Sequence, residues 1–201
     1  MKTLILASGS PRRSEILTKM CLPHTVFTAP ADETVDEGAE PREVGEVLAA
    51  RKALAAKEAL RAMDRFTRDT MILAADTLVY LDGKPLGKPK DAEDAVRMLL
   101  ALSGRTHVVC TGTCLISGAR SISTAEVTEV QMRAFSEEEA RAYVATGEPL
   151  DKAGAYGIQG IGGTLVERID GDFFSVMGLS PKTVARLMGV LGVSYFDCIQ
   201  M

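Results

Sequence analysis

Two serines and two arginines lie close together near the start of the chain, at Ser8, Ser10, Arg12 and Arg13. Ser10 suits a helix N-cap, the proline after it suits the first helical position, and the unpaired N–H groups at such a helix start attract anions. The helix dipole disfavours arginine at that end, so a polyanion binding from outside best explains the pair. Guanidinium groups match phosphate oxygens in a bidentate way. A capped helix with two solvated arginines is the alternative, and the local pattern leaves both readings open.

An isolated acid interrupts an apolar stretch in the middle of the chain. Residues 71–75 are all apolar and predict a strand buried on both faces, and Asp76 and Thr77 follow directly before the apolar residues 78–81. A carboxylate is costly to bury without a partner, so an acid at such a place more often serves function than structure. Asp76 is therefore a candidate functional residue.

Arg51 and Lys52 are alternative candidates for a functional cation on the predicted second helix. This helix begins at Pro41 and runs to about Met63. Its predicted apolar face consists of Val44, Val47, Leu48, Leu54 and Ala55. At a helical period Lys52 lies at the edge of that face and Arg51 lies nearer its centre, where a charge without a partner is unfavourable. The helical wheel does not choose between them.

A glycine-rich segment with little charge spans residues 148–164 and carries Gln159. Glycines at this density indicate that the backbone approaches a ligand or another backbone closely, and a purely structural loop is the alternative. Because strong site candidates lie towards both ends of the chain, we expect one cleft between two lobes.

Apolar periodicity and turn residues predict alternating strands and helices without a repeat or a clean linker, and thus a single domain over residues 1–201. The predicted strands are residues 4–6, 24–28, 71–81, 106–116, 124–133, 165–169 and 173–177. The predicted helices begin at residues 11, 41, 91, 136 and 181.

Composition excludes several classes of protein. The chain has 201 residues, 46% hydrophobic and 25% charged, and its formal net charge of −4 argues against non-specific nucleic-acid binding. The four cysteines form no CxxC pair, and we expect free thiols, with Cys110 and Cys114 buried. The N-terminal apolar run is too short for a signal peptide, and no run is long enough to span a membrane. We expect a cytoplasmic protein.

Taken together, these segments resemble the Maf-type nucleotide pyrophosphatases. The matching segments occur in the family's order and span nearly the whole chain. They are Ser8–Arg13, Glu33, Lys52 within Leu48–Ala53, Ala75–Thr77, Gly87–Pro89, Leu102–Gly104 and Asp151–Gly160. One departure is Ser180, where the family has proline, although Pro181 follows at once. The resemblance favours Lys52 over Arg51.

The resemblance implies an α/β fold of the Maf and inosine-triphosphatase-like type, with an elongated mixed β-sheet flanked by helices and two lobes with a cleft between them. It implies hydrolysis of nucleoside triphosphates to monophosphate and pyrophosphate with Mg²⁺ or Mn²⁺. Asp76 would be the catalytic base, and Glu33 and Asp76 the metal ligands. The implied substrate-binding residues are Ser8, Ser10, Arg12, Arg13, Lys52, Thr77, Lys88 and Gln159.

The chain most resembles the subfamily that acts on dTTP and UTP, because both have a threonine after the aspartate, here Thr77, and the segment from Tyr156 to Gln159. The Gln159 amide can pair with the imide edge of thymine or uracil. Three alternatives stay open: a modified pyrimidine nucleotide, a modified purine nucleotide such as 7-methyl-GTP, and a non-catalytic nucleotide-binding regulator of cell division. The expected partner is a small-molecule nucleoside triphosphate, and the sequence leaves a homodimer open.

Overall fold

The computed structural model describes residues 2–34 and 38–200 and alternates strands with helices. The strands are β1 (Thr3–Leu6), β2 (His24–Val26), β3 (Thr70–Leu81), β4 (Lys84–Leu86), β5 (Thr106–Ser117), β6 (Arg120–Met132) and β7 (Val166–Asp170). The helices are α1 (Pro11–Lys19), α2 (Pro41–Ala62), α3 (Ala92–Leu102), α4 (Glu137–Ala145), α5 (Phe173–Met177) and α6 (Pro181–Val190). Short 3₁₀ turns fill the glycine-rich region at Glu148–Asp151, Ala153–Ala155 and Ile161–Leu165.

The strands form a mixed sheet in the order β2-β1-β3-β5-β6-β7, with β4 paired to β3. Strand β1 runs parallel to both β2 and β3, whereas β4 pairs with β3, and β7 with β6, in antiparallel fashion. The β3–β4 hairpin turns at Asp82 and Gly83, which both have positive φ, as a two-residue hairpin turn of this type requires. The predicted α/β fold with a mixed sheet is confirmed.

The chain divides into two compact units, and strands β3, β5 and β6 contribute residues to both. The first unit comprises residues 1–76, 111–126 and 178–201, and the second comprises residues 77–110 and 127–177. The predicted cleft and the single domain over residues 1–201 stay predictions.

In the first unit, α2 packs a stripe of alanines against the sheet. Ala49, Ala53 and Ala56 are fully buried and share a core cluster with Ile72 and Ala74 of β3. The apolar face predicted for α2 is therefore partly wrong, because the helix buries its small residues on the sheet and leaves two larger ones in solvent. These two exposed residues are Val47 and Leu54.

The contact between α2 and β5 is a direct contact of backbones. A Cβ placed on Gly112 of β5 would lie 1.8 Å from the carbonyl oxygen of Gly45 in α2. No side chain fits at position 112 without moving the helix, so the two glycines set how closely α2 approaches the sheet.

The second unit has a separate core, and one predicted strand there is wrong. Helices α3 and α4 pack with β3, β5, β6 and the glycine-rich region around a shared apolar cluster. The segment Phe173–Met177, predicted as a strand, is helix α5. The Asp172 carboxylate accepts the Ser175 N–H at 3.0 Å and so starts the helix, and the buried Ser175 hydroxyl lies 3.0 Å from the Thr128 hydroxyl.

The four cysteines are free, and Cys110 and Cys114 are buried, as predicted. Within residues 2–34 and 38–200, none of the helices combines the length and the apolar character needed to cross a bilayer.

Candidate active site

A cavity of about 300 Å³ opens beside the loop between β1 and α1. Three segments of the first unit line it: the loop after β1, residues 28–33 and helix α2. Its lining residues are Ala7, Ser8, Gly9, Arg13, Thr28, Ala29, Pro30, Ala31, Glu33 and Lys52. The cavity thus brings together two hydroxyls, two cations and a carboxylate, a set of groups suited to a charged polar ligand.

The segment after β1 is organised around the Ser8 hydroxyl. Its oxygen accepts the Arg13 Nη1–H at 2.8 Å and the Ser10 N–H at 3.3 Å. Arg13 also donates through Nε to the Gly178 carbonyl at 2.8 Å, which fixes the plane of the guanidinium. Ser10 does occupy the N-cap position of α1, but its side chain makes no capping hydrogen bond. Arg12 follows on the same helix and is partly buried.

A lysine between two carboxylates forms the centre of the site. Lys52 Nζ donates to Asp76 Oδ1 and lies 2.9 Å from Glu33 Oε1. Asp76 is 9% exposed and lies on the face of β3 that carries Ile72 and Ala74, because side chains alternate along a strand. The buried alanines of α2, Ala49 and Ala53, let the helix lie close to this face of β3. Lys52, next to Ala53 in the helix, therefore reaches Asp76.

Arg51 points elsewhere and holds the loop that carries Glu33. Its Nη1 donates to the backbone carbonyls of Asp32, at 3.4 Å, and of Thr34, and lies 3.5 Å from the Asp32 carboxylate. The Asp32 carboxylate in turn accepts the Thr34 N–H at 2.9 Å. The helical wheel placed Arg51 nearer the buried centre than Lys52, and the structure shows the reverse arrangement.

Charges in the site favour anion binding. Burial lowers the pKa of Arg13 to about 10, with a further lowering by Arg12, and the carboxylate of Asp76 acts in the opposite direction. Burial also acts to lower the pKa of Lys52, but the hydrogen bonds and charges of Asp76 and Glu33 outweigh it and raise that pKa above its usual value. Both side chains are therefore cationic at neutral pH, and Arg13 gains from an arriving anion.

The other predicted site residues belong to the second unit. Thr77 directly follows Asp76 in β3 and, by the alternation of the strand, points to its opposite face. Lys88 and Gln159 are exposed. Their roles in substrate binding stay predictions.

Sequence reasoning did not identify two positioning groups, the Gly178 carbonyl and the Arg51 guanidinium. Gly178 is separated from Arg13 by 165 residues, so no local pattern could have pointed to the pair. The only available signal was the Gly-Leu-Ser-Pro segment itself, in which the Ser180 hydroxyl caps α6 by accepting the Thr183 N–H at 3.3 Å.

The carboxylates of Glu33 and Asp76 suit a divalent cation in one respect, since both already converge on a single positive charge, Lys52 Nζ. Across the described ranges, no group of three or more His, Cys, Asp and Glu side chains could hold a metal by itself. Magnesium sites commonly combine one or two carboxylates with substrate phosphates and water. This donor set therefore fits a metal that binds together with a phosphate ligand.

Comparison with known proteins gives one family over nearly the whole chain. The model of the family described as Maf-like protein matches residues 3–191. A dTTP/UTP pyrophosphatase of Aquifex aeolicus is 47% identical over 94% of this chain and 96% of its own length. Relatives of the same name from Bacillus cytotoxicus and Pyrococcus furiosus are each 45% identical over 94% of this chain, and over 93% and 95% of their own lengths.

The solved structure of the Staphylococcus aureus Ham1 protein aligns with 98% of this chain and 94% of its own, with a TM-score of 0.49 and 14% sequence identity. That likeness is too distant to support a statement about the site.

Proposed function

Because this chain belongs to the Maf-like family, we propose that it hydrolyses dTTP and UTP to the nucleoside monophosphate and pyrophosphate. The observation that carries the proposal is Lys52, held between Asp76 and Glu33 at the edge of a cavity that Arg13 also lines. The polyphosphate chain would lie against Arg13 and Lys52, the two cationic side chains that line this cavity.

In the proposed reaction, Asp76 is the general base. It is a mostly buried carboxylate fixed by Lys52. In the proposed reaction, the oxygen of a water attacks the α-phosphorus while Asp76 takes a proton from that water. The bond between the α-phosphorus and the bridging oxygen to the β-phosphorus breaks, and pyrophosphate leaves with that oxygen. One water is consumed for each triphosphate cleaved.

The cationic side chains stabilise the charge that grows on the phosphate oxygens during this step. Arg13 is held in place by Ser8 and Gly178 before any ligand arrives, so little reorganisation is needed on binding. Glu33 and Asp76 would hold Mg²⁺ or Mn²⁺, which when bound would neutralise phosphate charge.

Substrate choice is assigned to the second unit. On the family resemblance, Gln159 pairs with the carbonyl–NH–carbonyl edge of uracil or thymine, and Thr77 and Lys88 also contact the nucleotide. Ser10 and Arg12 complete the phosphate-binding set. Such an enzyme would act on the free nucleotide pool, and we place it in the cytoplasm.

The test is the identity of the products. Purified protein is incubated with UTP, dTTP, CTP or 7-methyl-GTP and with Mg²⁺ or Mn²⁺, and the products are separated by ion-exchange chromatography. We expect UMP or dTMP with pyrophosphate, at the highest rates for UTP and dTTP. Release of inorganic phosphate with UDP left behind would contradict the proposal, and a preference for 7-methyl-GTP would change its substrate.

A further inference from the structure

The loop that carries Gln159 is held by side chains. Tyr143 and Glu148 both bind it. The Tyr143 hydroxyl accepts the Gly157 N–H at 3.0 Å and donates to Glu148 Oε1 at 2.8 Å. Glu148 Oε2 accepts the Ile161 N–H at 2.9 Å, and Oε1 accepts the Gly162 N–H at 3.0 Å. The Glu148 carboxylate thus binds one end of the segment 157–162 directly and the other end through the Tyr143 hydroxyl. We call this segment the Gln159 loop.

The glycines of the Gln159 loop fit this carboxylate. A Cβ on Gly160 would lie 2.3 Å from Glu148 Oε2, and one on Gly162 would lie 2.4 Å from the Tyr143 hydroxyl. The close approach that the glycine content indicated is therefore made, at these positions, to side chains of the same chain.

Glu148 is itself fixed in place. Lys152 Nζ donates to the Glu148 backbone carbonyl and lies 2.7 Å from the Asp151 carboxylate. Burial acts to raise the pKa of Glu148, but the N–H groups of the loop, the Tyr143 hydroxyl and Lys152 outweigh it, so the pKa is below its usual value. The side chain is consequently an anion at neutral pH and accepts hydrogen bonds only.

We propose that Glu148 is a positioning residue that sets base selectivity, by fixing the Gln159 loop through the amides of Ile161 and Gly162. This inference rests on the proposed function, in which Gln159 reads the base. Gln159 is exposed, so the backbone on either side of it must determine where its amide points. Without the carboxylate, the loop would sample several arrangements and the amide would no longer discriminate well between uracil and cytosine.

The test is the substitution Glu148→Gln, which keeps the shape but replaces one acceptor oxygen with a donor that faces a backbone N–H. We expect the ratio of kcat/KM for UTP to that for CTP to fall by roughly tenfold, because one to two hydrogen bonds are lost. KM for UTP should rise while kcat changes by less than about threefold, because the catalytic carboxylate is untouched. Glu93→Gln is the matched control, because the exposed Glu93 carboxylate pairs with the exposed Arg141, and its loss should leave the ratio unchanged.

A double-mutant cycle separates positioning from mere destabilisation. If Glu148 acts through Gln159, Glu148→Gln combined with Gln159→Ala should give the same UTP/CTP ratio as Gln159→Ala alone. Independent, multiplicative effects would overturn the inference, as would an unchanged ratio in Glu148→Gln. Should Glu148→Gln not fold, Tyr143→Phe removes the other support of the loop and must lower the ratio as well. Absence of UTP pyrophosphatase activity or of UTP/CTP selectivity in the unmodified protein would instead contradict the proposed function.

Discussion

Replacing Asp76 with asparagine separates the chemistry of the site from its stability. The substitution keeps the size of the side chain and its Oδ1 acceptor, so Lys52 can still donate to it, and Glu33 still lies 2.9 Å from Lys52 Nζ. Because most contacts of the lysine persist, we expect the free energy of unfolding to change by only about 1 kcal/mol. The amide cannot take a proton from water. Loss of a general base typically lowers turnover by about 10²- to 10⁴-fold, or roughly 3–5 kcal/mol of transition-state stabilisation.

The assay compares pyrophosphate release under saturating UTP with urea unfolding of the same preparations. Glu126→Gln is the control, because Glu126 is a partly buried carboxylate of the same unit that accepts the Thr183 hydroxyl at 2.7 Å and lies 3.5 Å from Lys182. It should lose some stability and keep its turnover. Turnover of Asp76→Asn within threefold of the unmodified enzyme would show that the base lies elsewhere. Lost turnover together with a loss of several kcal/mol in stability would mean that Asp76 is mainly structural.

Three further predictions address base choice, pH and the loop that carries Glu33. Gln159→Ala should lower the UTP/CTP ratio of kcat/KM roughly tenfold while activity persists, and an unchanged ratio would exclude Gln159 as the base reader. Burial lowers the pKa of His107 to about 4 from 6.5, so between these pH values the unfolded chain takes up a proton that the folded chain does not. The free energy of unfolding should therefore fall by roughly 2–3 kcal/mol between pH 7 and pH 4.5. Urea unfolding at several pH values should show a smaller fall for His107→Gln, and an equal fall in both proteins would show that His107 does not cause it. Arg51→Ala should release the loop that carries Glu33 and so weaken Mn²⁺ binding. The Mn²⁺ concentration for half-maximal activity should rise by roughly tenfold. The Kd for Mn²⁺, measured by electron paramagnetic resonance with a non-hydrolysable UTP analogue present, should rise by the same factor. Arg61→Ala on the same helix should change neither, and equal effects of the two substitutions would refute a specific role for Arg51.

Local patterns were sufficient to nominate residues of the candidate site where neighbouring residues determine the local structure. Asp76 stood out because an apolar strand surrounds it, and the strand–turn–helix of Ser8 to Arg13 follows from turn preferences and from the proline at the first helical position. The choice between Arg51 and Lys52 did not follow, because it depends on which stripe of α2 is buried. Hydrophobicity favoured the stripe with Val47 and Leu54, whereas the fold buries small residues that allow close packing.

Long-range contacts account for the rest. The Gly178 carbonyl that orients Arg13 lies at the far end of the chain, and no spacing rule connects the two. Phe173–Met177 has the composition of a strand, but the buried Ser175 hydroxyl contacts the Thr128 hydroxyl, 47 residues earlier in the chain, and this contact favours the helix that Asp172 starts. Such contacts override local propensity, because the preference of a single residue for strand or helix is small compared with the energy of tertiary packing.

The contact between Gly45 and Gly112 determines how far Lys52 lies from the sheet that carries Asp76. Lys52 lies two helical turns beyond Gly45, or about 10 Å along the axis, on a helix that is seated directly on the backbone of β5. A side chain added at position 112 would lift the helix and carry the lysine away from Asp76. A substitution at Gly112 should therefore behave like a lesion of the catalytic centre although this residue contacts no substrate, and because the clash is with the backbone of α2, no smaller side chain on that helix could relieve it.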